Sequence, residues 1–285
     1  MSTKELIYRL LEALSLIKKR TLYFWAWVPR IGDFFLIKIM KKPQSKNLVF
    51  TSAGDYASRS TWSRNSERSF DLWVVFYGKE QKSWEFFKEN SDYLMRRQGS
   101  KFQNILYAYK KHKDILDQYE NILVADDDII ISVKDIRCWF EIHKEYNLNL
   151  SQASFDPEGK ISHSVTEHQV GNILRYTNFV EVTCPLFKKK DLFRFLDIYK
   201  GDLVGWGIDW LFSSQIHREY QGKIAVIDSL VCINPLDRAK ENRREIDILQ
   251  PTHLRKLNWF KFQKKKNFEM YAMKTLEVVK VNVSQ

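Results

Sequence analysis

Cysteine is scarce: three in 285 residues (Cys138, Cys184, Cys232), far apart, odd in number and without a C-x-x-C pair. That argues against a disulfide framework or a structural zinc site and suits a reducing compartment. Also missing is any uncharged apolar stretch of the roughly 18 to 20 residues that a bilayer span needs, and no small-residue cleavage site is placed as a signal peptide requires. The low hydrophobicity of a disordered chain is absent too. With 44% hydrophobic and 14% aromatic residues, the chain can bury the core of one large α/β domain or two small ones. Finally, the body lacks a charge excess. The net charge is +11, yet residues 1–46 carry +7, residues 254–285 carry +6 and the middle carries −2. A near-neutral body speaks against nucleic acid as the partner.

What is present at the two ends is basic charge mixed with aromatics. In residues 1–46, Leu6, Leu10, Leu11, Leu14 and Ile17 recur at helical spacing, followed by the run Tyr23, Phe24, Trp25 and Trp27. In residues 251–285, Trp259, Phe260, Phe262, Phe268 and Tyr271 interleave with Arg255, Lys256, Lys261 and Lys264-Lys265-Lys266. This composition suits an anionic membrane surface and leads to the expectation of a peripheral protein on the cytoplasmic face of the inner membrane. The alternative is that these segments pack on the body and show it a solvated charged face.

Between them, residues 47–250 alternate strand-like and helix-like segments, the pattern of an α/β domain. Residues 47–51 (NLVFT) read as a strand ending in a small-residue loop, Ser52-Ala53-Gly54-Asp55, and residues 70–77 (FDLWVVFY) as a second strand. Ser83 is placed to cap a short helix. Tyr93 to Met95 read as a third strand, and the apolar positions from Phe102 to Tyr119 as one long helix.

Next comes NILVADDDIII, residues 121–131. Three consecutive carboxylates at the end of an apolar strand repel one another and resist burial unless a cation sits with them. Asp126 and Asp128, two apart, can share a hard cation such as Mn²⁺ or Mg²⁺, which normally completes its shell with water and ligand phosphates. A nucleotide diphosphate is the natural third party, and the carboxyl edge of an open α/β sheet is where ligands bind. A solvated turn capping the next helix is the competing reading, because Ser132 and Asp135 are spaced as a capping box.

The strand ending in Asp126-Asp127-Asp128-Ile129 resembles the D-x-D element of glycosyltransferases of the GT-A fold. More specifically, most of residues 47–235 resembles the DUF 707 family, a domain of unknown function regarded as glycosyltransferase-like. The resemblance rests on residues 70–78, the aspartate triplet, Leu150-Ser151-Gln152-Ala153 through Asp156-Pro157, Ser162-His163, residues 175–181 and Gly205-Trp206-Gly207-Ile208-Asp209. It implies a single GT-A-like, Rossmann-like domain, a mixed sheet flanked by helices. Thr51, Ser52, Ala53, Gly54 and Asp55 would hold the nucleotide base and ribose, Arg97 and Lys101 would meet the diphosphate, and Asp126 and Asp127 would also serve the donor. Lys101 opens a helix whose amides favour anions. The paired glycines would let backbone pass close to a ligand, with Trp206 and Gly207 at the acceptor, and His163 would touch donor or acceptor. Asp209 would bind the acceptor hydroxyl or remove its proton, with Asp202 as the nearby substitute. The family tends to place a metal-completing histidine after a late strand. Here residues 227–235 have none, leaving Asn234, with Asp228 as a further option, beside Asp126 and Asp128 as the metal set.

The expected activity is transfer of a sugar from a nucleotide sugar to a hydroxyl of a glycan or glycolipid, as in bacterial surface polysaccharide or lipopolysaccharide synthesis. It would be metal-assisted, with inversion weakly preferred. A phosphoryl or nucleotidyl transferase, and a non-catalytic module for anionic membranes or nucleic acid, stay open as alternatives.

Overall fold

The structure, a computed structural model, describes residues 36–39, 42–219, 221–236 and 245–281. The aromatic helical segment expected within residues 1–35 lies outside them. Four apolar runs form parallel strands: β2 (Asn47–Ala53), β3 (Asp71–Phe76), β4 (Tyr93–Arg96) and β5 (Asn121–Asp126), hydrogen-bonded in the order β4-β3-β2-β5. They are buried on both faces, which is why they read as near-continuous apolar runs rather than as alternation. Leu48, Phe50, Trp73, Val75, Ile122 and Val124 enter one core, whereas Val49, Leu72, Val74, Leu123 and Ala125 enter the other.

The sheet continues as a mixed one. β1 (Leu36–Ile39) lies antiparallel to β4, and beyond β5 come β8 (Leu186–Lys188), β6 (Leu150–Phe155), β9 (Ile224–Cys232), β7 (Asn172–Thr177) and β10 (Thr275–Lys280), ten strands among the described residues. The short α1 (Arg59–Trp62) follows β2. On one face pack α3 (Lys101–Lys111), α6 (Lys189–Ile198) and α7 (Ile208–Ser214), on the other α2 (Gln81–Asn90) and α5 (Val133–Glu145). Two local expectations are corrected. Ser83 does not start its helix: α2 begins at Gln81, and the buried Ser83 accepts a bond from Arg59 Nη2 at 3.3 Å. The long helix is two, α3 and α4 (Lys113–Leu116), separated by His112 at φ −138°. Beyond β5, Ile130 bridges Ile233. Ser132 caps α5, its hydroxyl accepting from Asp135 N–H at 3.0 Å and donating to Asp135 Oδ2 at 2.6 Å, a side-chain pair rather than the reciprocal backbone bond of a full capping box.

The C-terminal segment is built into this unit. α9 (Thr252–Lys266), which follows α8 (Glu245–Leu249), buries Trp259 in the α3/α6/α7 core, and β10 pairs with β7 at the sheet edge.

The chain steps outward from β2 through β3 to β4 and then returns to the other side of β2 as β5. That reversal opens a crevice at the carboxyl ends of β2 and β5, the place where open α/β sheets bind ligands. Gly54 and the aspartate triplet stand on its two sides.

Candidate active site

The three aspartates divide their tasks. Asp127 is a brace: its carboxylate accepts Gly54 N–H at 2.8 Å and the Tyr77 hydroxyl at 3.5 Å, and its carbonyl accepts Ser58 N–H and Trp62 Nε1–H. It joins the loop after β2 to the turn after β5, a structural use in place of the expected donor contact. Asp126 is 44% exposed at the end of β5, with Oδ1 2.8 Å from Lys101 Nζ. Asp128 follows in the same turn, partly exposed. Asp126 and Asp128 fit a hard divalent cation that takes most of its shell from water and phosphate. A cage of protein ligands is a different matter: no group of three or more His, Cys, Asp or Glu gathers among the described residues. Asn234, expected as a third ligand, donates from Nδ2 to Lys160 O at 3.2 Å and accepts Lys160 N–H at its own carbonyl, closing the 156–160 turn. Asp228 is spent on Arg175, Oδ2 to Nε 2.7 Å and Oδ1 to Nη2 3.0 Å, inside the β9 bulge.

Lys101 is where the structure departs most from expectation. An ammonium has three N–H donors, and all three are used, on Val182 O (2.7 Å), Thr183 O (2.6 Å) and Asp126 Oδ1. Buried and saturated, it is an internal tie between the D-x-D turn and residues 182–183 and has no donor left for a diphosphate. Arg97 is partly buried beside it, bonded to Asn104 Oδ1 with its guanidinium 4.9 Å from the Tyr107 ring centre, and burial lowers its pKa. On the donor side, Thr51, Ser52 and Ala53 are interior residues of β2, with Ser52 Oγ accepting from Asn104 Nδ2. Asp55 holds the start of α2 through the N–H groups of Lys79 and Glu80 at 2.9 to 3.1 Å. Of this stretch only the turn at Gly54 and Asp55 reaches the crevice. The sequence reading missed Tyr56, 63% exposed in that turn; an aromatic directly after a strand-end Gly-Asp was its signal.

On the opposite side, Asp209 lies buried in the first turn of α7, Oδ1 accepting Trp210 N–H at 3.0 Å. Burial pushes its pKa up to about 7. Glu181, to which the sequence reading gave no role, is also buried and also pushed up to about 7, by burial first and by the charge of Asp209 second. Its Oε1 accepts His163 N–H (3.1 Å) and the Thr166 hydroxyl (3.1 Å), and its Oε2 the Thr183 hydroxyl (3.3 Å). His163 therefore serves this site through its backbone. Its ring packs 4.9 Å from Phe179 and faces Trp210, and burial lowers its pKa.

The glycines around Trp206 have a different cause from the one expected. Gly205 and Gly207 adopt φ of +70° and +84°, and a Cβ on Gly207 would run into the Trp259 ring. Gly207 closely approaches Trp259 of α9, and Gly205 approaches Ile246 of α8. Trp206 is thereby turned out, 43% exposed, with Lys256 Nζ 4.9 Å from its ring centre.

No protein-family model matches the chain, and no curated protein matches it by sequence. Solved structures do. GalNAc-T7 with UDP, GalNAc and Mn²⁺ superposes over 69% of this chain and 45% of its own, at 10% identity and a TM-score of 0.50. S. aureus TarS 1-349 with UDP matches 78% of this chain and 72% of its own, at 14% identity and TM-score 0.44. This chain spans 40% of the longer S. aureus TarS chain, at 16% identity and TM-score 0.44. The fold is of the GT-A type. In this chain Lys101 ties the D-x-D turn to the carbonyls of Val182 and Thr183.

Proposed function

We propose that this GT-A domain is a nucleotide-sugar-dependent glycosyltransferase that acts on a hydroxyl of a glycan or glycolipid. The observation that carries the reading is the link, through Lys101 and residues 182–183, between two carboxylate environments of opposite character: Asp126 and Asp128 partly exposed at the switch point, Asp209 and Glu181 buried. Groups held in contrasting surroundings are how one site divides acid and base tasks. Asp209 removes the acceptor proton as the acceptor oxygen bonds to the sugar's anomeric carbon and the bond from that carbon to the diphosphate breaks. Mn²⁺ or Mg²⁺ at Asp126 and Asp128 would neutralise the departing diphosphate. Tyr56 offers the base an exposed ring. The UDP complex of GalNAc-T7, a neighbour in fold, supports a uridine nucleotide as the first donor to test.

A thermal-unfolding screen tests this directly. A nucleoside diphosphate or its sugar conjugate should stabilise the fold in the presence of Mn²⁺ by roughly 2.7 kcal/mol at 100 Kd, seen as a higher Tm, and Asp128→Ala should lose the response. If no nucleotide of any base raises Tm with or without the cation, the proposal fails. Release of nucleoside diphosphate, rather than monophosphate or pyrophosphate, separates sugar transfer from nucleotidyl transfer.

The acceptor side points toward an anionic membrane surface. Lys256 sits over Trp206, Lys264 Nζ lies 4.8 Å from the ring centre of Phe260, itself 43% exposed, and Lys264, Lys265 and Lys266 end α9 in solvent. No described helix is long and apolar enough to cross a membrane. Each lysine near anionic headgroups is worth about 1 kcal/mol. Lys256→Glu/Lys264→Glu should therefore cut co-flotation with phosphatidylglycerol vesicles at least tenfold and leave the nucleotide-induced Tm rise intact. Equal flotation of variant and wild type would remove α9 from the interface.

A further inference from the structure

We propose that the C-terminal segment positions the acceptor base: Trp259 of α9 and Tyr271 of the loop behind it pin the first turn of α7, and with it Asp209. The inference rests on the role given to Asp209 above and gives a use at the site to a part of the chain that lies outside the family resemblance.

α7 has little of its own to hold it in place. It is seven residues long, and its N-cap is Gly207 in the left-handed conformation, with no side chain bonding back to the open N–H groups of the first turn. So short a helix without a side-chain cap is marginal in isolation. The direction of the carboxylate in its first turn therefore depends on what packs against that turn. The C-terminal segment packs there twice. Before Asp209 in the chain, the ring of Trp259 stands so close to Gly207 that no Cβ fits between them. That ring is buried and backed by Phe262 and Phe268, with ring centres at 5.8 and 5.3 Å. After Asp209, Tyr271 lies edge-on to Trp210, ring centres 5.0 Å apart, and Trp210 is the residue whose N–H Asp209 Oδ1 accepts at 3.0 Å.

Tyr271 belongs to the loop of residues 267–274, which leaves α9 at Asn267 (φ +49°) and runs to β10. Asn178 fixes the path of that loop. Its Nδ2 donates to Ala272 O at 2.9 Å and its Oδ1 accepts Lys274 N–H at 2.8 Å. Its own N–H donates to Lys274 O at 3.3 Å, and its carbonyl accepts the Tyr271 hydroxyl at 3.2 Å. Every polar atom of this buried asparagine goes to residues 271–274. Asn178 stands within residues 175–181, one of the stretches that carry the resemblance, and its task here is to receive the C-terminal segment. α9 thus faces two ways, Trp259 inward against Gly207, Lys256 and Phe260 outward. The helix given to the membrane surface above is also the seat of the base.

Tyr271→Leu and Tyr271→Phe test this in the full-length protein. Leucine removes the ring, whereas phenylalanine keeps it against Trp210 and gives up only the bond to Asn178 O. Hydrogen exchange of the peptide covering residues 207–214 should quicken at least about tenfold in Tyr271→Leu, with the peptides covering 47–53 and 121–126 unchanged. The Tm rise given by UDP with Mn²⁺ should persist. Transfer from a UDP-sugar, followed as UDP release, should lose up to about 10²-fold in kcat, the effect of displacing a group by about an ångström, at an unchanged donor KM. Tyr271→Phe should match wild type in exchange and in turnover. Wild-type exchange over 207–214 in Tyr271→Leu overturns the proposal, as does exchange that quickens equally over 47–53 or a kcat that stays at the wild-type value. Quickened exchange confined to α7 in a protein that transfers no sugar leaves the pinning of α7 standing and counts against the glycosyltransferase reading alone.

Discussion

Asp209→Asn is expected to lower turnover by about 10²- to 10⁴-fold, the contribution of a positioned general base, and at the same time to make the protein more stable at pH 8. Both effects come from one fact. Burial has raised the carboxyl from 3.8 to about 7, so the folded state holds the proton more tightly than the unfolded one. The stability linked to that proton is fully present below about pH 4 and is lost as pH rises through about 7. At pH 8 the wild type carries an ionised, desolvated aspartate, at a cost on the order of 4 kcal/mol as an upper limit from a displacement of about three units. Asparagine removes the charge and keeps an oxygen for Trp210 N–H. Thermal unfolding from pH 4 to 8.5 should accordingly fall less steeply in the variant than in wild type, with the two curves diverging upward of pH 5. A variant that retains turnover, or whose curve runs parallel to wild type, would remove Asp209 from the role of base.

That double effect was only half legible in the chain. The parallel strands could be read because they are buried on both faces and bounded by small or polar residues, although β2 runs on through Ser52 and Ala53, two residues beyond the 47–51 expected, to end before Gly54-Asp55. The aspartate triplet was legible because three adjacent carboxylates after Ile122, Leu123 and Val124 have few bland explanations. What did not follow from sequence was which neighbour satisfies each group. Asp55, Asp127 and Asn234 have the chemistry of ligands, yet each is used on backbone N–H or C=O groups of another loop. Gly207 reads as a ligand contact until Trp259, 52 residues later, arrives against it. Glu181 was marked only as the end of the 175–181 stretch, because the groups that hold its carboxylate, at 163, 166 and 183, meet it only in the fold.

Lys101→Met makes the same distinction experimentally and should be the most destabilising single change at the site. Methionine matches the length of the stem but takes the ammonium donor from Asp126 Oδ1, Val182 O and Thr183 O, of which Thr183 O keeps the Asp126 N–H at 2.8 Å. Removing one partner of a buried charge pair costs about 3–5 kcal/mol. Because Asp126 is partly exposed and can turn to water, we expect about 2–4 kcal/mol here. Against a total stability of about 5–15 kcal/mol this is a large drop, readable as a lower urea midpoint at unchanged slope. The functional consequences separate two roles for the lysine. If it bound the donor diphosphate, as its place at a helix start suggests, the variant would keep its stability and lose nucleotide affinity. As the tie between the D-x-D turn and residues 182–183, its loss should lower stability and free an oxygen of Asp126. The Tm response to Mn²⁺ alone should then grow, since an uncompensated carboxylate attracts a divalent cation more strongly. It should also cut turnover by loosening residues 182–183 against the D-x-D turn. A stable Lys101→Met protein with an unchanged Mn²⁺ response would return Lys101 to the donor phosphates.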